Sequence, residues 1–453
     1  MYIYSNNKEM WLFWSIKEQL ELRWVYEKSR YVEFAHQINR DNLCEPLSEM
    51  YCNNNWRNSK NIRMMLALEI LKHIMQLSDK ELVHQLQVNI EMQYFCGFQT
   101  VYDNTKIESS TMTHFRNRLA KYPEIRNKIQ EIHLKETIKK LPKKVQWQFD
   151  QDSTVIEENI KYPNDIELLN DVTQLWAKMV NLWKKTFKQF WEFIAKWKRQ
   201  CKKLYLAYSF GRWKSKKWFE ETKETMIDFA EKMIKTTKEW YKKIKYAIYK
   251  WNNKLREVKE KIKRYIEVSE KIIKQQKQLL KNKLKNKKQS VKDRIVSLHK
   301  DYIRPIVKGK KWKKVQFWAK AHIWLIWWKV TVASWLSRDN EHDSKYIKNW
   351  VEIVEKVRWK VPTEVWYDKW WRSEEIYKYL EKKWIENYIQ WTKKRKSLKK
   401  WVRKRLYNRR AFNENVINDV LNNRWVKNNK YSKNNTEWSV IMGCMASNLI
   451  RVW

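Results

Sequence analysis

The apolar residues in the N-terminal part of the chain follow helical spacing. A dense apolar run at Ile62–Met75 comes after a polar flank and predicts a buried helix. Ser78 and Asp79 precede a second predicted helix, Lys80–Val88, because Ser is a favoured N-cap and an early acidic residue suits the positive end of the helix dipole. Residues 1–39 are interpreted as an N-terminal extension with an irregular pattern.

A third predicted helix follows Ser109-Ser110 and carries two arginines, Arg116 and Arg118. The segment 40–125 is therefore predicted to be an all-α domain with a basic last helix. Such a domain is either a helix-turn-helix-like reader of DNA, which these arginines contact, or a packing domain whose arginines are only solvated.

The middle of the chain passes from a strand to long helices. Val145–Glu157 is rich in β-branched and aromatic residues and predicts a strand. Residues 166–290 are rich in Lys, Glu and Gln, with apolar residues recurring every three, four or seven positions. This spacing predicts an antiparallel helical hairpin or coiled coil. Its lysine-rich faces are either solvated or follow a phosphate backbone.

Strands and helices alternate after Pro305. The predicted elements are the strands Val315–Ile326 and Lys329–Leu336, the helix Ser344–Val357, the strand Thr363–Tyr367, the helix Ser373–Lys383, the strand Ile385–Gln390 and the helix Arg410–Leu421. With the strand Val145–Glu157 placed first, this is the element order of an RNase H-like fold. The predicted fold class is α/β (α+β), with an RNase H-like domain over 145–165 and 300–453 and a lysine-rich helical insertion at 166–299.

Composition adds a charge argument. The 453 residues include 96 Lys and Arg against 51 Asp and Glu, a formal net charge of +45. This excess favours a polyanionic partner, nucleic acid first, although an AT-rich genome that favours lysine codons produces the same bias. No Cys-x-x-Cys pair occurs and no signal peptide is recognised, so we expect a reduced, cytoplasmic and nucleoid-associated protein. Phe317–Leu336 contains charged residues and is interpreted as two strands, so no membrane partner is expected.

The chain has 30 Trp and only 4 Gly, whereas Gly averages about 7% of residues in ordinary proteins. Reading UGA codons as Trp, when the host reads them as Gly, would produce this exchange. The alternative is a host that does decode UGA as Trp. Trp327-Trp328 argues against that alternative, because it lies between two predicted strands where Gly-Gly would form a two-residue turn.

Three acidic residues stand at functional places in the predicted layout. Asp152 lies in the first strand, Asp368 ends a later strand and Glu414 lies on the last predicted helix. Carboxylates at neighbouring strand ends, with one from a facing helix, can hold two Mg²⁺ or Mn²⁺ ions. Structural interpretations remain open: Asp152 caps a turn, Asp368 opens a helix and Glu414 pairs with an arginine. Asp343 is an alternative ligand that we interpret as a helix N-terminal residue.

Several short motifs occur in combination along the chain. They are Glu45-Pro46-Leu47, Leu77-Ser78-Asp79, Phe95-Cys96-Gly97-Phe98, Ser109-Ser110-Thr111, Gln151-Asp152-Ser153-Thr154-Val155, Tyr162-Pro163-Asn164-Asp165, Lys308-Gly309-Lys310 and Tyr367-Asp368-Lys369-Trp370. Over roughly residues 40–453 the chain resembles DDE transposases of bacterial insertion sequences. Trp318 and Trp370 stand where that family has glycine, which agrees with the recoding hypothesis.

The family's third acid lies in a Tyr-x-x-Arg-x-x-x-Glu signature, which Tyr407 to Glu414 fits in full. The resemblance implies that Asp152, Asp368 and Glu414 hold two Mg²⁺ ions, with Mn²⁺ as a substitute. It further implies cleavage and strand transfer of double-stranded DNA at the element ends, in a homodimer or larger assembly. The residues expected to contact DNA are Tyr407, Arg410, Arg116, Arg118, Lys308 and Lys310.

One departure and two alternatives accompany this interpretation. A basic residue normally follows the Glu by one or two helical turns, but Leu421 occupies the nearest position, so Arg424 or Lys427 would have to substitute. The first alternative is a catalytically decayed or domesticated copy that only binds DNA. The second is an RNase H-like nuclease.

Overall fold

The computed structural model divides the chain into two compact units: 1–156 with 320–337 and 341–453, and 157–319 with 338–340. The residues that it describes are 15–51, 60–100, 107–143, 148–157, 160, 164–181, 188–210, 215–248, 253–285, 291–307, 315–326, 330–337, 345–358, 360–367, 374–389, 408, 411–424, 426 and 433–451.

The first unit begins with a series of helices. They are α1 (Ile16–Leu22), α2 (Arg30–Gln37), α3 (Arg40–Ser48), α4 (Ile62–Met75), α5 (Asp79–Val88), α6 (Ile90–Cys96), α7 (Ser109–Leu119) and α8 (Pro123–Lys140), followed by the strand β1 (Gln148–Glu157). Ser15 and Ser78 cap α1 and α5, and in both caps a Glu three residues on hydrogen-bonds back to the Ser amide. These capping boxes satisfy amides that the first turn of a helix leaves unbonded.

Before residue 315, the described residues of the second unit form four helices and a short strand. They are α9 (Asp165–Asn181), α10 (Lys188–Phe210), α11 (Lys216–Ile248), α12 (Asn253–Leu284) and β2 (Arg304–Val307). Ion pairs join Lys238 to Glu270 and Glu231 to Lys277, so α11 and α12 run antiparallel. The predicted helical hairpin is therefore present, and α9 and α10 pack with it around a core that includes Trp176 and Met226.

The remaining elements follow β2 in chain order. They are β3 (Val315–Ile326), β4 (Val330–Ser337), α13 (Lys345–Arg358), β5 (Glu364–Tyr367), α14 (Glu374–Lys382), β6 (Glu386–Ile389) and α15 (Lys433–Arg451). Residues 411–418 are helical and continue into a π-helical turn, Asp419–Asn423.

The sheet of the first unit has the strand order β4-β3-β1-β5-β6. β4 pairs with β3 antiparallel, whereas β5 pairs in parallel with both β1 and β6. In the second unit, β2 pairs antiparallel with the opening four residues of β3. A largely helical chain with a small mixed sheet is an α+β protein, which agrees with the predicted class.

A helical core and a sheet core are the two largest hydrophobic clusters among the described residues of the first unit. In the helical core, α4 is buried along almost its whole length and contacts α15 through Trp438, Ile441 and Met442. In the sheet core, Phe149 and Val365 pack with Trp350 of α13. Each fully buried side chain of this size contributes roughly 1.5–3 kcal/mol to folding. The helices of 40–125 therefore share one core with α15.

Most predicted elements are found within three residues of their predicted ends, and α4 has the predicted bounds. Helices α1, α2, α3, α6, α8 and α15 and the strand β2 were not predicted. Ser15 and Glu18 form a capping-box pattern that marks the start of α1 in the sequence. β2 contains Pro305, a residue that weakens any strand prediction because it lacks an amide donor.

Candidate functional site

The strongest sequence motif lies on β1, beside β5. Residues 148–151 of β1 pair in parallel with residues 364–367 of β5, residue for residue. Asp152 follows directly on β1, is half-buried and accepts a hydrogen bond from the Ser153 amide through its Oδ1 atom at 2.7 Å. Because strand residues two apart share a face, Asp150 lies on the same face as Asp152, and it is only 1% exposed. Asp150 was not predicted from the sequence, although its spacing of two residues from Asp152 on a predicted strand places both carboxylates on one face.

The other predicted metal ligands are only partly described. Glu414 is an exposed residue of the 411–418 helical segment. Asp368 lies outside the described residues, as do Tyr407, Arg410, Lys308, Lys310 and the alternative ligand Asp343. Within the part of the chain that the structure describes, no three His, Cys, Asp or Glu side chains form a group that could hold a metal ion.

The DNA contact expected of Arg116 does not fit its position. Arg116 is 3% exposed and donates to Glu69 at 2.8 Å and, through both terminal nitrogens, to Asp79 at 2.9 and 2.6 Å. Burial alone would lower the pKa of Arg116, but the two carboxylates more than reverse this and keep it firmly charged. Arg116 is a structural residue because its guanidinium is enclosed between α4 and α5, out of reach of a phosphate.

Its neighbour Arg118 is placed differently. It is exposed on α7, and its guanidinium carbon lies over the Tyr51 ring, 4.4 Å from the ring centroid. A guanidinium stacked in this way retains donors that can reach a phosphate. Arg118 therefore stays a candidate DNA contact, whereas Arg116 does not.

Arg424, a basic residue expected to contact DNA after Glu414, also bonds to other parts of the protein. Arg424 donates to Asp419 at 3.2 Å and to the carbonyl oxygen of Ile74 at 3.1 Å. Asp419 in addition accepts from Ser447 at 2.7 Å and from Arg451 at 3.2 Å, both on α15. These buried and part-buried contacts fix the π-helical turn that follows the Glu414 segment against α4 and α15, so Arg424 does not supply the expected DNA contact.

His73 completes this polar cluster from the end of α4. Its Nδ1 lies 2.6 Å from the Arg424 carbonyl oxygen and its Nε2 lies 3.2 Å from Ser439 Oγ, with the side chain 2% exposed. Burial lowers the pKa of His73 to about 3 despite the bond to Arg424. The neutral ring is therefore the folded form, with the Nδ1 hydrogen donated to the carbonyl.

Stability should fall with acid through this histidine. An unfolded histidine titrates near 6.5, so between pH 6.5 and about 3 only the unfolded chain takes up the proton. We expect His73→Gln to make the free energy of unfolding less pH-dependent by up to ~1.4 kcal/mol per pH unit over that window. Urea titrations from pH 7 to pH 4 measure the slope. The control is His84→Gln on the exposed face of α5, and equal slopes for both variants would contradict the prediction.

Residues 19–118 match the sequence profile of a family described as a transposase domain, DUF772. The similarity to a transposase domain thus lies in the helical N-terminal region of the chain.

A 57-residue stretch is 42% identical to uncharacterized protein ORF8 in the nfe locus of Rhizobium meliloti. That stretch is 13% of this chain and 28% of that protein. No solved structure matches the chain significantly. Among the described residues, no helix has the length and apolar character needed to cross a membrane.

Proposed function

We propose that this chain is a DDE transposase that cuts double-stranded DNA at the ends of its own element and joins the freed 3′-OH to target DNA. The transposase domain at residues 19–118 supports the general activity. The β-strand register supports the catalytic type, as follows.

The register between β1 and β5 is the observation that carries the proposal. The last described pair joins Gln151 to Tyr367. The next residue on each strand is an aspartate, Asp152 on β1 and Asp368 after β5. We propose that this pairing continues by one residue, so that the two aspartates take equivalent positions. Side chains at equivalent positions of neighbouring strands point to the same face.

The sheet order supports the same proposal. β3 and β4 form an antiparallel hairpin next to β1, and β5 and β6 continue in parallel on the other side. This arrangement fits the RNase H-like element order predicted from the sequence, with α9–α12 as the insertion between the first strand and the hairpin.

The donor set fits divalent cations, since carboxylate oxygens are the ligands that Mg²⁺ and Mn²⁺ prefer. In this proposal Asp152, Asp368 and Glu414 hold the two ions. Bound there, the ions would activate the attacking oxygen and stabilise the leaving oxygen of an in-line displacement. Asp152 is oriented by its bond to the Ser153 amide, and Arg118, with Arg410, Tyr407, Lys308 and Lys310, would hold DNA phosphates.

The direct experiment uses DNA from both sides of the gene as substrate. Full-length protein is incubated with that DNA and Mg²⁺, and strand breaks and joined products are resolved on a denaturing gel. Site-specific breaks at inverted repeats, absent in EDTA, support the proposal. Binding without any breakage would instead support a decayed copy.

We also infer that many of the tryptophans are glycines in the host-made protein. Trp24 and Trp384 follow α1 and α14 with φ of +56°, and they are 83% and 93% exposed. Each ends its helix in a Schellman motif, with amide bonds to carbonyls three and five residues earlier. The bonds are Trp24 to Glu21 at 2.9 Å, Val25 to Leu20 at 3.0 Å, Trp384 to Glu381 at 3.0 Å and Ile385 to Leu380 at 2.9 Å.

Glycine is the usual residue at this left-handed position, because any Cβ there costs about 1–2 kcal/mol. The chain itself provides the comparison: Gly97 ends α6 in the same motif with φ of +85°. Two exposed tryptophans therefore stand where the backbone favours glycine.

Peptide mass spectrometry of host-made protein tests this inference. We expect glycine at residue 384 in the tryptic peptide that follows Lys383, and glycine at residue 24 in the peptide that follows Arg23. The peptide containing Gly97 is the internal control. Tryptophan at both positions would overturn the recoding inference.

A further inference from the structure

Helix α10 presents a basic face to solvent, opposite to the face that packs in its unit. Ile194 and Cys201 are buried in the core of the second unit. A helix turns about 100° per residue, so Lys196, Arg199 and Lys203 lie on the opposite side. All three are exposed, as is Lys202 beside them. We call these four side chains the α10 basic face.

Carboxylates are missing from this stretch of sequence. Residues 193–219 contain no Asp or Glu. They contain the basic residues Lys196, Lys198, Arg199, Lys202, Lys203, Arg212, Lys214, Lys216 and Lys217. Among residues whose side chains the structure describes, none forms an ion pair with the α10 basic face.

The neighbouring hairpin of α11 and α12 differs in this respect. Its lysines pair across the two helices, as Lys277 does with Glu231 at 2.7 Å and Lys283 with Glu220 at 3.2 Å. The hairpin thus neutralises part of its own charge. Among the described side chains, none compensates the charge of the α10 basic face, and like charges held this close repel one another unless an anion is bound.

We propose that the α10 basic face binds the phosphate backbone of double-stranded DNA. Lys196 and Lys203 are separated by about 10 Å along the helix axis, at 1.5 Å per residue. One DNA strand presents a phosphate every ~3.4 Å of its axis, so the face spans about three phosphates. Contacts of this kind position DNA without reading its sequence. This inference rests on the proposed function in that it takes DNA as the substrate.

A lipid surface fits the same helix less well. Basic helices that bind membranes insert their apolar face between lipids. Over residues 194–210, where side chains of α10 are described, its apolar face packs in the core of the unit, and Leu206 and Phe210 are the large apolar side chains left exposed. The α10 basic face can therefore bind a partner through charge rather than through apolar contact.

The test compares two full-length variants that have the same reduction in charge. One replaces Lys196, Arg199, Lys202 and Lys203 by Gln, and the control replaces Lys263, Lys271, Lys274 and Lys281 on the exposed side of α12 by Gln. Gln keeps a helix propensity close to those of Lys and Arg, and circular dichroism checks the fold. Affinity for a random-sequence duplex is measured by fluorescence anisotropy at several salt concentrations.

We expect the α10 variant to bind at least tenfold more weakly at low salt. The slope of log affinity against log salt should become shallower by up to ~3.6, at ~0.9 for each phosphate that the variant no longer neutralises. The α12 variant should change the slope by less than ~0.9, the value for a single phosphate. Equal slopes for the two variants would overturn the inference, because only net charge would then matter.

Two further arms separate the possible failures. If the α10 variant loses binding to phosphatidylserine vesicles but keeps its DNA affinity, the surface is a membrane site and the inference is wrong. If the slope changes as expected while wild-type protein never cuts element-end DNA, the proposed catalytic function fails and the DNA-binding face stands.

Discussion

Replacing Asp152 by Asn is expected to reduce cleavage of element-end DNA by ~10³-fold or more, which corresponds to about 4 kcal/mol in the activation barrier. Asn has nearly the same shape as Asp, and its side-chain oxygen can still accept the hydrogen bond from the Ser153 backbone amide. It lacks the negative charge that a divalent cation requires of its ligands. Single-turnover cleavage in Mg²⁺ measures the rate, and anisotropy should show nearly unchanged DNA affinity.

The matched control is Asp228→Asn, because Asp228 is an exposed carboxylate on α11. This variant should cleave DNA at the wild-type rate. Glu414→Gln, tested in parallel, should lose activity as Asp152→Asn does. Wild-type cleavage by Asp152→Asn would remove this residue from the metal site and with it the argument from the β1–β5 register.

Arg116→Ala is expected to lower the free energy of unfolding by about 3–5 kcal/mol, the usual effect of removing one partner from a buried ion pair. Glu69 would keep its contact with the Trp438 indole nitrogen at 3.1 Å, and Asp79 its contact with Lys72 at 2.8 Å. Neither contact replaces the guanidinium, so charge would remain buried without adequate compensation. Urea denaturation followed by circular dichroism measures the change.

Arg118→Ala serves as the control on the same helix. Because the Arg118 side chain is exposed, its removal should lower the free energy of unfolding by less than about 1 kcal/mol. A stable Arg116→Ala protein that has lost DNA affinity would restore the DNA contact predicted from the sequence. Loss of stability in Arg116→Ala, with Arg118→Ala weakening DNA binding alone, would support the assignment made from the structure.

The elements predictable from sequence were those whose signal is local. α4 was predicted from its unbroken apolar run, and α5 from its N-cap Ser78 with Glu81 three residues later. α15 was not predicted, and it completes the core of helices encoded more than 300 residues earlier. Packing partners at such distance leave no mark in a window of ten or fifteen residues.

The absence of long-range contacts from any local window of sequence also explains which parts of the candidate site could be predicted. Asp152 stands out in the sequence because its motif is local. The burial of Arg116 depends on Glu69 and Asp79, and spacing alone cannot show that these carboxylates converge on one guanidinium. The role of Arg424 depends similarly on the Ile74 carbonyl, an acceptor on a helix remote in sequence.

The shared core of α4 and α15 has a consequence for synthesis on the ribosome. Translation proceeds at about 5–20 residues per second, so roughly 15–60 s separate the emergence of Ile129 from that of Trp438. During that interval the nascent helices lack the side chains that close their core, among them Met442 and Met445. Part of this core therefore stays open until α15 emerges, and we expect a chain that ends before α15 to be a better protease substrate than the full chain.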